Sequence, residues 1–200
     1  MTFETKTAEV IHLNQMPHPV LAGMISRGTV ERCGPGVRGV TWKDTPILRA
    51  AILQALIPEQ TTLVQESAAW VWGAKTCENQ HLIQCNQGHT RKLSDSDSTS
   101  PIVTLHIFNK RLQGNDVCKI NEQRITTPLR TISDLLLSSS NFTPQLRAAC
   151  RFLATLPGLT PTSVLQHLRL RSVPYKHRAL TRAAQLWPQY ANLFQTTPLA

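Results

Sequence analysis

Four of the five Thr-Pro pairs in this chain predict where helices begin. These four pairs are Thr45-Pro46, Thr127-Pro128, Thr143-Pro144 and Thr160-Pro161. A threonine at a helix start accepts a hydrogen bond from a backbone N–H that has no partner within the helix, and proline fits the next position because no donor is needed there. Apolar residues at helical spacing follow the first pair as far as Leu56 and the second as far as Leu136. A further helix is predicted from Pro174 to Trp187.

Strand-like segments separate the early helices from the late ones. They lie at 61–64, 81–85, 102–108 and 123–126. Their apolar and β-branched residues predict a sheet of three or four strands. Helices, then a sheet, then helices indicate an α+β fold rather than a doubly wound one. The expected parts are a partial winged-helix-like segment at 1–42, an α+β domain at 43–140 and a basic helical region at 141–200.

The segment at 1–42 has the order of the second half of a winged helix-turn-helix. Residues 20–28 favour a short helix closed by Gly28, and a strand at 29–32 follows. Gly34 and Gly36 make a tight turn into a second strand. Only about twenty residues precede the helix. Because two complete upstream helices need more than that, we expect a truncated winged helix.

Composition indicates a cytoplasmic protein that does not contact membranes. No run of residues approaches the roughly 18 to 20 apolar residues that a membrane helix needs. The first residues lack the basic-then-apolar order of a secretory signal. The five cysteines are scattered through the chain, which fits reduced thiols that pack as small apolar side chains.

The positive charge is concentrated in the last third of the chain. The formal net charge is +9, and residues 135–200 hold seven lysines and arginines but no aspartate or glutamate. A surface without carboxylates attracts polyanions through its long-range field. The alternative is a helical face that is only solvated.

No arrangement of residues indicates a catalytic or metal site. Residues of zinc-ligand type recur every four positions at Cys77, His81, Cys85 and His89. In a strand at 81–85, however, four residues span ~13 Å, too far for ligands of one metal ion. Ser67 and Ser133 lie in predicted helices without a nucleophile-elbow sequence. A Mg²⁺-dependent nuclease needs clustered carboxylates, and no acid follows Asp134. We therefore expect no enzymatic activity, no metal and no cofactor.

Two short sequence phrases are the remaining evidence about the function of this chain. Residues 64–75 read VQESAAWVWGAK, and residues 126–135 read TTPLRTISDL. The first predicts a helix that ends at Gly73. In the second, Arg130 and Asp134 are one helical turn apart, which predicts an ion pair with a structural role.

Together, in this order and at this separation, the two phrases resemble the type IV abortive-infection antitoxins, the AbiEi-like regulators. The residues that match the family motifs, and to which we give structural roles, are Ser67, Trp70, Gly73, Arg130 and Asp134. The resemblance implies a winged helix that binds inverted repeats in its own promoter and represses the operon. It also implies that the remainder of the chain counteracts a nucleotidyltransferase toxin. The nuclease-like domain that longer relatives carry is not expected here.

DNA binding of this kind would use two groups of basic residues. Around the helix end and the wing they are Arg27, Arg32 and Arg38, and in the C-terminal region they are Arg169, Arg171, Lys176 and Arg178. Both groups are predicted to contact phosphates. The alternative is a protein-interaction module that has lost DNA binding and meets an acidic partner through its basic helices.

Overall fold

The computed structural model describes residues 16–58, 60–74, 82–86, 104–138, 141–170 and 174–194. Within these ranges the fold is mixed α+β, with one two-stranded sheet, one five-stranded sheet and helices before, between and after their strands. The prediction of an α+β fold is confirmed.

The N-terminal part is one helix followed by a hairpin. Helix α1 spans His18–Ser26, and strands β1 (Val30–Cys33) and β2 (Gly36–Gly39) pair antiparallel. The tight turn between the strands places Gly34 at φ +57°. A Cβ there would lie 2.5 Å from Cζ2 of Trp70, so only glycine fits this approach of the hairpin to the next part of the chain.

The larger sheet is assembled from strands distant in sequence. Its strands are β3 (Thr62–Leu63), β4 (Leu82–Asn86), β5 (Thr104–Phe108), β6 (Val117–Ile120) and β7 (Gln123–Thr126). Their order is β5-β4-β3-β7-β6. The central strand β3 runs parallel to β7 and antiparallel to β4, so the sheet is mixed.

Four helices begin at the Thr-Pro pairs named above, as the sequence predicts. Helices α2 and α3 precede β4, and the others follow β7; they are α2 (Pro46–Gln54), α3 (Gln65–Val71), α4 (Pro128–Leu137), α5 (Pro144–Leu153), α6 (Pro161–Arg169), α7 (Lys176–Leu186) and α8 (Ala191–Phe194). At each of the four pairs the threonine hydroxyl accepts a hydrogen bond from a backbone N–H of the first turn, at 3.1 to 3.4 Å. Helix α4 lies among α3, α5, α6 and α7, and its residues 131–136 are all buried. It is the central element of the C-terminal core.

Two details differ from the sequence prediction. The larger sheet has five strands in the described part of the chain, because β6 pairs with β7 through a turn without glycine in which Asn121 takes the left-handed conformation. In α2, Ile47 belongs to the apolar residues at helical spacing that follow the first Thr-Pro pair, but its side chain is 43% exposed, while Ala50 and Leu53 are buried. Both outcomes depend on contacts with other elements rather than on local pattern.

Candidate functional site

The N-terminal arginines do not form one group. Arg27 follows α1 and Arg32 lies on β1, and both are exposed. Arg38 on β2 pairs with Glu31, its Nη2 atom 2.5 Å from Oε1, and also donates to the Trp42 carbonyl. Because neighbouring residues of a strand point to opposite faces, Arg32 and Arg38 lie on opposite sides of the hairpin.

Several C-terminal basic residues bind backbone carbonyls. Arg178 Nη2 donates to the carbonyl of Leu137 at 3.1 Å, and Arg182 Nη1 donates to those of Leu136 and Ser138 at 3.0 and 2.8 Å. These carbonyls lie at the end of α4, where no N–H group of the helix is available to donate to them. Two arginines of α7 therefore cap the C-terminus of α4. Burial lowers the pKa of Arg182, and the neighbouring Arg178 charge lowers it further.

The remaining residues of this group lie nearer the surface. Lys176 Nζ donates to the Arg169 carbonyl at 3.0 Å, and Arg169, which is exposed, donates to the Leu193 carbonyl at 3.3 Å. Carbonyl acceptors orient these cations but do not cancel their charge. Arg171 lies outside the described residues.

The residues of the first motif connect separate parts of the fold. Ser67 Oγ accepts from the Gln84 N–H at 2.8 Å and so ties α3 to β4. The indole of Trp70 packs on the hairpin turn, and the Arg49 guanidinium lies 5.1 Å from its ring centroid. Gly73 has φ +111°, and a Cβ there would lie 3.0 Å from the ring of Phe152. The contacts of these three positions thus join α3 to the sheet, the hairpin and α5.

The second motif is part of a buried network of charges. Arg130 Nε donates to Asp134 Oδ2 at 3.0 Å, and its Nη1 donates to Asp116 Oδ2 at 2.8 Å. The side chains of Arg130, Asp116 and Asp134 are only 7%, 1% and 4% exposed. Lys110 Nζ lies 3.9 Å from Asp134 Oδ1. The predicted ion pair is therefore present, but it is one arm of a larger cluster that fixes α4 against the loop before β6.

His167 of α6 completes this cluster. Its Nδ1 is 2.9 Å from Ser133 Oγ, and its Nε2 is 3.4 Å from Asp116 Oδ1. Ser133 Oγ also donates to the Leu129 carbonyl at 2.8 Å, and the direction of its bond with His167 follows the histidine tautomer. Side-chain contacts thus join Ser133, His167 and Asp116 in series.

The charged cluster forms the floor of a cleft of about 570 Å³. The walls include the start of α3, strands β4 and β5, and the segment before α7. Two wall residues, Gln65 (φ +51°) and Tyr175 (φ +64°), hold left-handed backbone conformations without being glycine. Such residues cost on the order of 1–3 kcal/mol each and concentrate at functional sites. Burial raises the pKa of Glu66, which lies beside Gln65 on the same wall.

Sequence reasoning missed most of the residues around this cleft. Asp116 is 14 positions from Arg130, and His167 is 51 positions from Asp116, so no local spacing joins them. One signal was available: only three carboxylates follow residue 100 in this basic chain, at Asp116, Glu122 and Asp134. An isolated acid among many bases is a candidate for a buried partner.

The described residues contain no group of three or more His, Cys, Asp or Glu side chains placed to hold a metal ion. Cys85 is buried in β4, while Cys77, His81 and His89 lie outside the described residues. No described helix combines the length and the apolar character needed to cross a bilayer. Comparison of the sequence with protein families and with curated proteins returns no match.

Proposed function

We propose that this chain is a non-enzymatic regulator of the AbiEi-like antitoxin type, which binds DNA and counteracts a nucleotidyltransferase toxin. The proposal of DNA binding depends on one observation: the region from α5 to α8 holds cations but no carboxylate side chain. Its Arg169, Lys176 and Arg178 side chains donate to neutral carbonyls, so their positive charge persists. Such a surface binds the phosphate backbone without selecting a sequence.

The N-terminal hairpin would add a second contact. Helix α1 leads directly into a two-stranded hairpin, and Arg27 and Arg32 are exposed there. A wing of this kind reaches the DNA backbone or the minor groove. Arg38 is held by Glu31 and contributes less, because its charge is compensated within the hairpin.

The hydrogen bonds around Ser133 support a non-enzymatic role. Its hydroxyl donates to the Leu129 carbonyl at 2.8 Å. The buried Arg130 is engaged by two carboxylates. These groups are arranged to hold the fold together rather than to transfer a proton.

The test of DNA binding is fluorescence anisotropy with the DNA upstream of the protein's own gene, measured over a range of salt concentrations. Arg151 and Arg169 are exposed, and replacing both by Gln should reduce the log–log salt slope by about 1.8, at about 0.9 per phosphate contact. The matched control replaces Lys119 and Arg124, exposed on the β6–β7 hairpin, by Gln. It removes the same charge and should leave the slope unchanged.

Two outcomes would contradict the proposal. One is a flat binding curve at low salt from folded protein. The other is an equal loss of slope in both double variants, which would indicate an effect of net charge without a defined surface. The antitoxin part is tested separately by co-expression with a neighbouring nucleotidyltransferase gene, where rescue of growth is expected.

A second candidate is a protein-interaction module that meets an acidic partner through the same helices. The pairing of Arg38 with Glu31 favours it, because this pairing leaves fewer cations on the hairpin for DNA. Rescue of growth without any DNA binding, with a salt-sensitive complex between the chain and an acidic protein, would support this alternative.

A further inference from the structure

We infer that the cleft between α3, β5 and α4 binds a nucleoside monophosphate. The cleft volume of about 570 Å³ is within the range of pockets that enclose small organic ligands. This site goes beyond the proposed DNA-binding surface, since none of the residues replaced in the DNA-binding test lines it.

The first observation is the side chain of Gln65. It lines the cleft and is only 7% exposed, and within the described residues its amide makes no hydrogen bond. Neither amide atom is completely shielded from the cleft, so both can pair with a ligand that enters it. The backbone at Gln65 is left-handed, where glycine or asparagine would be easier to accommodate. The longer amide is therefore held in the cleft although its backbone conformation is unfavourable.

An amide selects a particular kind of ligand. It presents a donor and an acceptor side by side, and this pair matches the adjacent acceptor and donor on the edge of a nucleobase. A carboxylate or a phosphate alone would use only the donor. The wall beside Gln65 thus fits a heteroaromatic ring edge better than a simple anion.

The second observation is the group of rings that lines the cleft. His106 and Phe108 lie side by side on β5 with centroids 4.4 Å apart, and both face the cleft. Tyr175, the other left-handed residue, contributes a ring from the segment before α7. Aromatic side chains stack on nucleobases because every base has a planar face.

The third observation is the pair of cations that follows β5. Lys110 Nζ lies 4.9 Å from the centroid of the Phe108 ring, and the exposed Arg111 is its neighbour in the chain and in the cleft wall. Arg130 is engaged by Asp116 and Asp134 on the floor. Lys110 Nζ is already 3.9 Å from Asp134 Oδ1, so a phosphate would be held at the rim mainly by Arg111, with the base directed inward.

The experiment is isothermal titration calorimetry of the full chain with AMP, GMP, CMP and UMP, and with adenosine, inorganic phosphate and a short single-stranded oligonucleotide. At least one monophosphate should bind, at least ten times more tightly than its nucleoside, and phosphate alone should give no signal. The inference is overturned if no monophosphate binds at millimolar concentration, or if only the oligonucleotide binds.

Two variants locate the binding. Gln65→Leu keeps a buried side chain of similar size and removes the amide, so affinity for the monophosphate should fall at least tenfold. The matched control is Gln60→Leu, because Gln60 is also left-handed but exposed and outside the cleft. Arg111→Gln changes an exposed residue and does not depend on refolding of the core; it should weaken the monophosphate and leave the nucleoside unaffected. Unchanged affinity in Gln65→Leu or in Arg111→Gln would exclude this mode of binding.

Discussion

Replacing Arg130 by methionine tests whether the buried charged network stabilises the fold as a unit. The methionine keeps an unbranched side chain but removes the charge that lies between Asp116 and Asp134. Both carboxylates are almost completely buried, so neither is compensated by water. Breaking a buried ion pair by removing one partner costs about 3–5 kcal/mol, because a charge is left behind.

The structure indicates that the cost of Arg130→Met lies at the lower end of this range, because each carboxylate keeps other partners. Asp116 would keep the Gln113 N–H at 2.8 Å and the contact with His167, and Asp134 would keep Lys110 at 3.9 Å. We therefore expect a loss of about 3 kcal/mol in the free energy of unfolding. With a urea dependence of about 2 kcal/mol per molar, the midpoint should fall by about 1.5 M.

A triple variant separates the loss of charge balance from the loss of packing. When Asp116 and Asp134 are changed to Asn together with Arg130→Met, no buried carboxylate is left without a cation, and Lys110 is exposed enough to be hydrated. The triple variant should then recover at least half of the loss, as measured by urea unfolding followed by tryptophan fluorescence. The reasoning fails if the single change costs less than about 1 kcal/mol, or if the triple variant is no more stable than the single one.

Three further changes have defined outcomes. Burial raises the pKa of Glu66 in the folded state, so the contribution of this group to the free energy of unfolding is complete below its unfolded pKa and is lost as pH rises through its folded pKa. Glu66→Gln should therefore increase the melting temperature at pH 7 more than at pH 4. A larger gain at pH 4 would contradict this. Gly34→Ala should lower stability by about 2 kcal/mol or more in urea unfolding, because a Cβ at a left-handed position would overlap the ring of Trp70; an unchanged midpoint would show that the hairpin can move. Burial raises the pKa of Cys85 to about 11 and that of Cys150 to about 12, so peptide mapping after treatment with a thiol reagent at pH 7 should find both unlabelled in the native protein and labelled after unfolding.

The boundaries of the helices could be predicted because their signals are local. A Thr-Pro pair determines the first turn through bonds within four residues, and Gly73 ends α3 through its own φ angle. Strand β6 was missed because its turn at Asn121 contains no glycine or proline and because its stability comes from pairing with β7. Local chemistry therefore predicted the element boundaries better than it predicted the number of strands.

The candidate site could be predicted only where its contacts were local. Arg130 and Asp134 are one helical turn apart, and sequence spacing alone indicated their ion pair. Their partners Asp116 and His167 come from a loop and from another helix, and only the packing of α6 against α4 brings them together. The unpartnered amide of Gln65 has no sequence signal, since a glutamine at a helix start is ordinary.

The buried network and the basic surface have a common origin in where the last carboxylates lie. Three acidic residues follow residue 100. Asp116 and Asp134 form buried ion pairs with Arg130, and Glu122 lies at the exposed turn near Lys119. The helices that follow therefore carry their cations without any acid of their own. Because Arg178 binds a carbonyl at the end of α4, the same helix that holds the cleft floor also orients part of the positive surface. A change in α4 should affect both.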